Sequence, residues 1–160
     1  MSTDLEEQAV AVRRLRPADL DAVVLLDAKN TGRTRDAYFK VKLEQNLAET
    51  GIQVSLAAEL QGAFVGFLLA RVFYGEFGMP EPVAVLETFG VHPDFRGLGV
   101  GSALLGQLRT NLRGLGIPRL RTDVGWDDQD LLGFFHHEGF RPALIFCLEL
   151  DLTGLSREAE

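Results

Sequence analysis

Apolar and polar positions alternate in two different rhythms along this chain, and the changes of rhythm mark its elements. Residues 10–15, VAVRRL, alternate apolar and basic, which predicts a half-buried strand. Pro17 then opens a helix over 17–28, with Leu20, Val23, Val24 and Asp27 at helical spacing. Residues 30–38 are polar and loop-like, and 38–50 read as a second amphipathic helix stopped by Gly51. Two apolar runs, 52–60 and 63–74, flank Gln61-Gly62, a hairpin signal. After a loop at 75–82, VAVLETFGV (83–91) predicts a further strand, ended by His92-Pro93. A helix is expected from about Ser102 to Arg113, with Leu104, Leu105, Leu108 and Leu112 on one face. Arg109 and Arg113 fall near the negative end of its dipole, and Gly114 and Gly116 stop it. RLRTDVG reads as a strand, DQDLLGFFHHEG as a helix, and ALIFCLELDL (143–152) as a final strand, where Cys147 is expected in the core. TGLSREAE reads as a frayed tail.

Hairpins mixed with strand–helix–strand units imply an α/β or α+β mixed sheet with helices on both faces. A chain of 160 residues without repeats or low-complexity segments fits a single domain over 1–160, with its core at about 10–152. The composition, 46% hydrophobic and 24% charged, is that of an ordinary soluble protein. The longest apolar run, AFVGFLLARVF, is too short to span a bilayer and carries Arg71, so no membrane partner is expected. One cysteine excludes an internal disulfide framework, and MSTDLEEQ lacks the basic and apolar regions of a secretory signal, so a cytoplasmic location is expected. The formal net charge of −7 argues against a nucleic-acid partner and weakly favours a cationic one.

The chemistry concentrates in VHPDFRGLGVGSALL (91–105). Gly97, Gly99 and Gly101 fall where a helical pattern begins, a place where glycine is costly unless the backbone must bend or be closely approached. The first amides of a helix lack internal partners and sit in positive potential, so a glycine turn there can hold a phosphate. A P-loop is excluded because no Gly-Lys-Ser/Thr follows. A dinucleotide fingerprint remains open, with Asp123 near the place of a ribose-binding acid, although the spacing Gly97-x-Gly99-x-Gly101 and the polar turn before it fit poorly. A turn with no ligand also remains open.

HPDFRGLGVG resembles the acetyl-CoA signature of the GNAT superfamily of N-acetyltransferases, Arg/Gln-x-x-Gly-x-Gly/Ala, with Arg96, Gly99 and Gly101 in its three places. FFHHEGF resembles that family's closing motif: Gly139 and Phe140 match, Asp128 stands where Asn is usual, and Phe135 stands where Tyr is usual. The order of elements agrees from about residue 10 to 152. The resemblance implies a GNAT-like acyl-CoA N-acyltransferase fold whose splayed long strand holds acetyl-CoA. It implies that Arg96, Gly97, Leu98, Gly99, Val100, Gly101 and Ser102 wrap the pyrophosphate, with Asp128 contributing to the cofactor site. It also implies that the Val91 amide faces the thioester oxygen and that Glu87, which some members carry at this offset, deprotonates the amine. On a regular strand Glu87 and Val91, four residues apart, point to the same face; the bland alternative is that Glu87 pairs with an arginine. Phe135 leaves the family's usual proton donor missing, with Tyr38 and Tyr74 as substitutes to test. His136 and His137, adjacent on a helix, do not form a metal pair, and no metal is expected.

The expected activity is transfer of an acetyl group from acetyl-CoA to a primary amine. A noncatalytic acyl-CoA-binding module and, further off, a nucleotide-dependent oxidoreductase are the alternatives. The partners expected are a small-molecule or peptide amine, with a homodimer left open. Arg33 and Arg35 suit a carboxylate on the acceptor, whereas Glu76 and Glu81 suit a polyamine. Trp126 is expected to fill core space.

Overall fold

The computed structural model describes residues 9–48 and 51–154. Residues 1–8, the last two positions of the second expected helix (49–50) and most of the tail expected to be frayed (155–160) lie outside the described residues. Internal contacts group the chain into two units, 1–127 and 128–160.

The first unit is a five-stranded sheet with helices on both faces. Its strands are β1 (Ala11–Arg14), β2 (Leu56–Leu60), β3 (Ala63–Phe73), β4 (Val83–Val91) and β5 (Arg119–Thr122), side by side in chain order. The first four are antiparallel, and β5 runs parallel to β4. The hairpin between β2 and β3 turns on Gln61 (φ 51°) and Gly62 (φ 78°), the two positive angles that a two-residue type I′ loop demands. Helix α1 (Leu20–Thr31) follows a single 3-10 turn at Pro17–Asp19, and Gly32 (φ 72°) ends it in the left-handed cap conformation. Helix α2 is Asp36–Asn46, and α3 is Val100–Gly114, two residues earlier in its start than the apolar pattern indicates.

Packing sorts the two faces of the sheet. Phe67 and Leu69 of β3 join Val23, Leu26, Phe39 and Leu43 of α1 and α2 in one buried cluster. Helix α3 covers the other face with Leu104, Leu105 and Leu108, all fully buried. Close approach is built in with glycine: a Cβ at Gly66 would lie 2.8 Å from Val100 Cγ1 and 3.2 Å from the Gly90 carbonyl. On the opposite face, a Cβ at Gly90 would lie 2.8 Å from the Phe67 ring and 3.1 Å from Leu26.

One ion-paired group pins β1 to the turn that begins α1. Arg13 holds Asp19 through two hydrogen bonds of 2.8 Å and reaches Glu59 on β2 at 3.0 Å. Asp19 also accepts from the Arg16 amide at 2.7 Å. Burial by itself would raise the Asp19 carboxyl, but the bonds from Arg13 and Arg16 outweigh it and hold the group below its ordinary value.

The second unit contains helix α4 (Gln129–His137), capped by the Asp128 carboxylate, which accepts from the Leu131 amide at 3.1 Å. The expected final strand is not formed: residues 143–152 carry no regular secondary structure, pair with no strand among the described residues, and are exposed. Alternation alone does not make a strand, because the ladder needs a neighbour to pair with. Cys147 is accordingly exposed rather than buried. Trp126, expected to fill core space, lies in the loop after β5 with its ring in solvent.

Two measurements test this packing. Gly66→Ala should cost about 1–3 kcal/mol of unfolding free energy in denaturant titration, because the new methyl meets a backbone carbonyl that cannot turn aside; an unchanged midpoint would contradict the tight approach of α3. For Asp19, the folded carboxyl lies below the unfolded one, so its contribution is present above about pH 3.9 and lost as pH falls through the folded value. Asp19→Asn should therefore destabilise the protein near neutrality, and the gap from wild type should close in acid.

Candidate active site

The site begins where β4 loses a neighbour. β5 pairs with β4 only from Val83↔Arg119 to Leu86↔Thr122, and the Thr122 hydroxyl donates to the Leu86 carbonyl at 3.0 Å at the end of that ladder. Beyond Leu86, β4 keeps β3 on one edge and has no strand on the other among the described residues. The register with β3 then decides which groups face this opening. His92 N–H donates to the Val65 carbonyl at 2.8 Å, so the Val65/His92 pair is the hydrogen-bonded one. The neighbouring pair, Gly66↔Val91, is therefore the non-bonded kind, whose N–H and C=O groups turn away from the partner strand. The Val91 amide points into the opening. The Val91 carbonyl, turned outward with it, accepts from Asn30 Nδ2 of α1 at 3.0 Å.

Glu87 occupies a β-bulge. Leu69 faces Thr88 and Ala70 faces Leu86, which leaves Glu87 as the extra residue of β4. The bulge breaks the alternation on which the same-face expectation rested. Val91 lies opposite Gly66, whose Cβ direction points to α3, whereas the Glu87 carboxylate reaches α2. The two side chains therefore lie on opposite faces of the sheet. Lys42 Nζ stands 3.5 Å and Arg71 3.7 Å from the Glu87 carboxylate, and Asn46 Nδ2 donates to it at 3.3 Å. The arginine pairing weighed from the sequence is present, with a lysine added to it. Asn46 is buried, and its Oδ1 has no hydrogen-bond partner among the described residues.

The glycine turn follows directly. A 3-10 turn at Pro93–Phe95 leads to Arg96, Gly97 (φ 78°), Leu98 and Gly99 (φ 79°), and Gly99 is the N-cap of α3. Both angles lie in the left-handed region that a side chain resists. A Cβ at Gly97 or Gly99 would meet nothing within 4 Å, so the approach to this backbone is open. Val100 and Gly101 begin the helix, where amides lack intrahelical acceptors and the dipole is positive. A pyrophosphate fits such a place. The Arg96 side chain turns away to donate to Asn30 Oδ1 at 2.7 Å, so Asn30 ties both Val91 and Arg96 to α1. His92 serves the turn, its Nδ1 accepting from the Asp94 amide at 3.1 Å.

Other sequence candidates fall elsewhere. Arg35 is committed to the buried Asp27 through bonds of 2.9 and 2.6 Å, which keep its guanidinium protonated, and it stacks over Tyr38 and Phe39. Tyr74, Glu76 and Glu81 are exposed around the loop before β4. In the second unit, Asp128 caps α4, and Phe135 is buried with its ring centroid 5.6 Å from Phe134 and 4.9 Å from Phe140. Sequence reading missed Asn30, Lys42, Arg71 and Asn46 as site residues. Lone polar residues, three on helix faces and Arg71 on β3, carry no signal of the neighbours they will meet.

A mixed sheet whose long strand parts from its parallel neighbour, with a glycine turn at the end of that strand, defines an acyl-CoA N-acyltransferase fold. The chain belongs to the acetyltransferase (GNAT) family, whose profile matches residues 21–140. Among solved structures it is similar to the aminoglycoside N-acetyltransferase AAC(6')-Iy in complex with CoA, at 19% identity over 91% of this chain and 96% of that one, with a TM-score of 0.75. It is similar to a ribosomal-protein-alanine N-acetyltransferase from Brucella melitensis biovar Abortus 2308, at 19% identity over 89% and 99% of the two chains, with a TM-score of 0.71. A transcriptional regulator from Bacillus halodurans C-125 has the same fold at 18% identity and a TM-score of 0.75 over 90% and 100% of the chains. The family also accounts for the glycine turn without the dinucleotide reading. No helix among the described residues is long and apolar enough to cross a membrane.

Phe135 offers a check on the aromatic cluster. Phe135→Tyr places a hydroxyl in a buried site, and should cost about 1–3 kcal/mol if the group finds no partner. A lower thermal midpoint is the expected result; unchanged stability would mean that the site opens to water at the ring's tip.

Proposed function

We propose that this chain is a single-domain, cytoplasmic enzyme that transfers the acetyl group of acetyl-CoA to a primary amine of a small molecule or peptide. The observation that carries the reading is the Val91 amide, turned by its register into an opening that ends at the glycine turn. In this reading the amides of residues 96–102 receive the coenzyme pyrophosphate, and the coenzyme supplies an acyl group activated as a thioester. The amine nitrogen adds to the thioester carbon, and negative charge grows on the carbonyl oxygen. The fixed Val91 N–H donates to that oxygen as the charge develops. The carbon–sulfur bond then breaks, and the thiolate leaves with its electron pair. A thiol of ordinary acidity, near 8.5, makes it a tolerable leaving group without the tyrosine that Phe135 replaces. The amine's proton passes to Glu87, directly or through one water, with Lys42, Arg71 and Asn46 fixing the carboxylate's position.

Two of the similar structures are an aminoglycoside N-acetyltransferase and a ribosomal-protein-alanine N-acetyltransferase, so their acceptors are amines of different size. Around Glu87 the flanking groups are two partly exposed cations, which suits an acceptor carrying an anionic group beside its amine better than a polycation.

Release of free thiol from acetyl-CoA across a panel of amines tests the activity, and absence of turnover with every amine would overturn it. Ser102→Asp separates the coenzyme site from the fold. Its charge favours the helix N-terminus but repels a pyrophosphate, so calorimetry should show CoA affinity falling at least about tenfold while thermal stability holds or rises. Glu87→Gln should slow acetyl transfer by about 10²–10⁴ near neutrality, with the deficit shrinking at high pH where the amine is already deprotonated. A pH–rate profile identical to wild type would remove Glu87 from the proton path.

A further inference from the structure

The bulge at Glu87 belongs to β4, so β3 keeps its alternation past it, and Phe67, Leu69, Arg71 and Phe73 share one face. Phe67 and Leu69 are buried beneath α1 and α2, and the row emerges to solvent at Arg71 and Phe73. On α2, Tyr38, Lys42 and Asn46 stand four residues apart and form one stripe. The Glu87 carboxylate joins stripe and row. Lys42 approaches its Oε2 at 3.5 Å, and Arg71 approaches its Oε1 at 3.7 Å. Each cation is also steadied by a ring of its own element: Lys42 Nζ lies 6.0 Å from the Tyr38 centroid, and the Arg71 guanidinium 5.1 Å from that of Phe73.

Both ion pairs are longer than the roughly 2.7–3.2 Å of a hydrogen bond, so neither cation is held tightly by Glu87. The Arg71 side chain is 37% exposed, against 24% for Lys42 and 16% for Glu87, so it is the cation an incoming molecule meets most readily. A guanidinium presents two parallel N–H donors that match a carboxylate. Glu87 and Arg71 thus offer a negative and a positive group side by side, and the second cation leaves the cluster positive as a whole.

We propose that the acceptor is a free amino acid, with its ammonium on Glu87 and its carboxylate on the Arg71 fork, while Lys42 stays as the counter-ion of Glu87. The proposal rests on the acetyl-transfer reading above and narrows its acceptor. An amino acid carries both charges a few bonds apart, the spacing at which Glu87 and Arg71 stand. Its binding replaces one loose ion pair with two closer ones. A polyamine brings further cations to a cluster already positive. A peptide N-terminus brings the amine, but its first carboxyl is a neutral amide, and Arg71 then has no charge to meet.

Acetyl transfer to the L-amino acids, to their C-terminal amides and to simple diamines tests this. For the amino acid turned over fastest, kcat/KM should exceed that of its own amide by about tenfold or more. Arg71→Met should bring that ratio close to one. Arg71 also helps to hold Glu87, so the variant slows both acceptors and the ratio carries the result; a merely structural role lowers both rates alike and leaves the ratio in place. Arg71→Glu makes the cluster negative and should turn the preference toward diamines. The thermal midpoint of each variant checks that its fold is retained. Wild-type turnover of amides or diamines as fast as the acids, or a ratio unmoved by Arg71→Met, would overturn the amino-acid site while leaving acetyl transfer intact. Should no amine be acetylated, transfer itself fails, and binding decides the site. An amino acid that raises the wild-type midpoint more than its amide does, and loses that advantage in Arg71→Met, supports it; equal shifts for acid and amide overturn it.

Discussion

Beyond Leu86, as far as Val91, β4 holds β3 on one edge and, among the described residues, no strand on the other, and the site depends on that missing neighbour. In a filled sheet the outward N–H and C=O groups of this stretch would be consumed by a ladder. Here β5 is short, its last bond to β4 comes from Thr122, and the groups beyond are left to other partners. The Val91 carbonyl finds Asn30, while the amide of the same residue keeps its direction into the opening. A donor fixed in this way needs no reorganisation when charge appears in front of it, which is the physical basis of oxyanion stabilisation.

The rest of the first unit holds that strand in place. The Gly66 and Gly90 backbones lie close against α3 and against the Phe67 ring, and bulkier residues there would push the layers apart. Asn30 joins the end of β4 to the glycine turn through two hydrogen bonds, so the amide expected at the reacting carbonyl and the amides expected at the pyrophosphate share one mechanical support. The bulge at Glu87 redirects a carboxylate toward α2, where Lys42, Arg71 and Asn46 determine its position. Bulges near reactive groups commonly serve this purpose.

The exposed segment after α4 is the place where one chain leaves its own pattern unsatisfied. Its sequence is as apolar as a strand's, yet β3 lies between two strands and the segment pairs with none among the described residues. Hydrophobic alternation states which face of a strand wants burial, not which strand will supply it.

Local pattern by itself determined most of the elements, because the period of apolar residues and the glycine and proline signals act within a few residues. The β4 boundaries, the Gln61-Gly62 hairpin and the glycine turn before α3 were legible for that reason. The motif Arg96-x-x-Gly99-x-Gly101 also carried the class of the protein, through its resemblance to the family signature, and the positive φ of Gly97 and Gly99 is a conformation that glycine itself permits. Tertiary structure decided the rest. Whether the Val91 amide faces β3 or the opening depends on register with a strand some 25 positions away, counted from Gly66 to Val91. One extra residue at Glu87 reversed the expected facing of two side chains, and no local signal in VLETFGV distinguishes a bulge from a regular strand. Asn30, Lys42, Asn46 and Arg71 entered the site, and Arg35 was drawn off by Asp27, only because packing brought distant segments together. Periodicity encodes what each segment buries; which polar groups then meet is settled by the three-dimensional contacts of the folded chain.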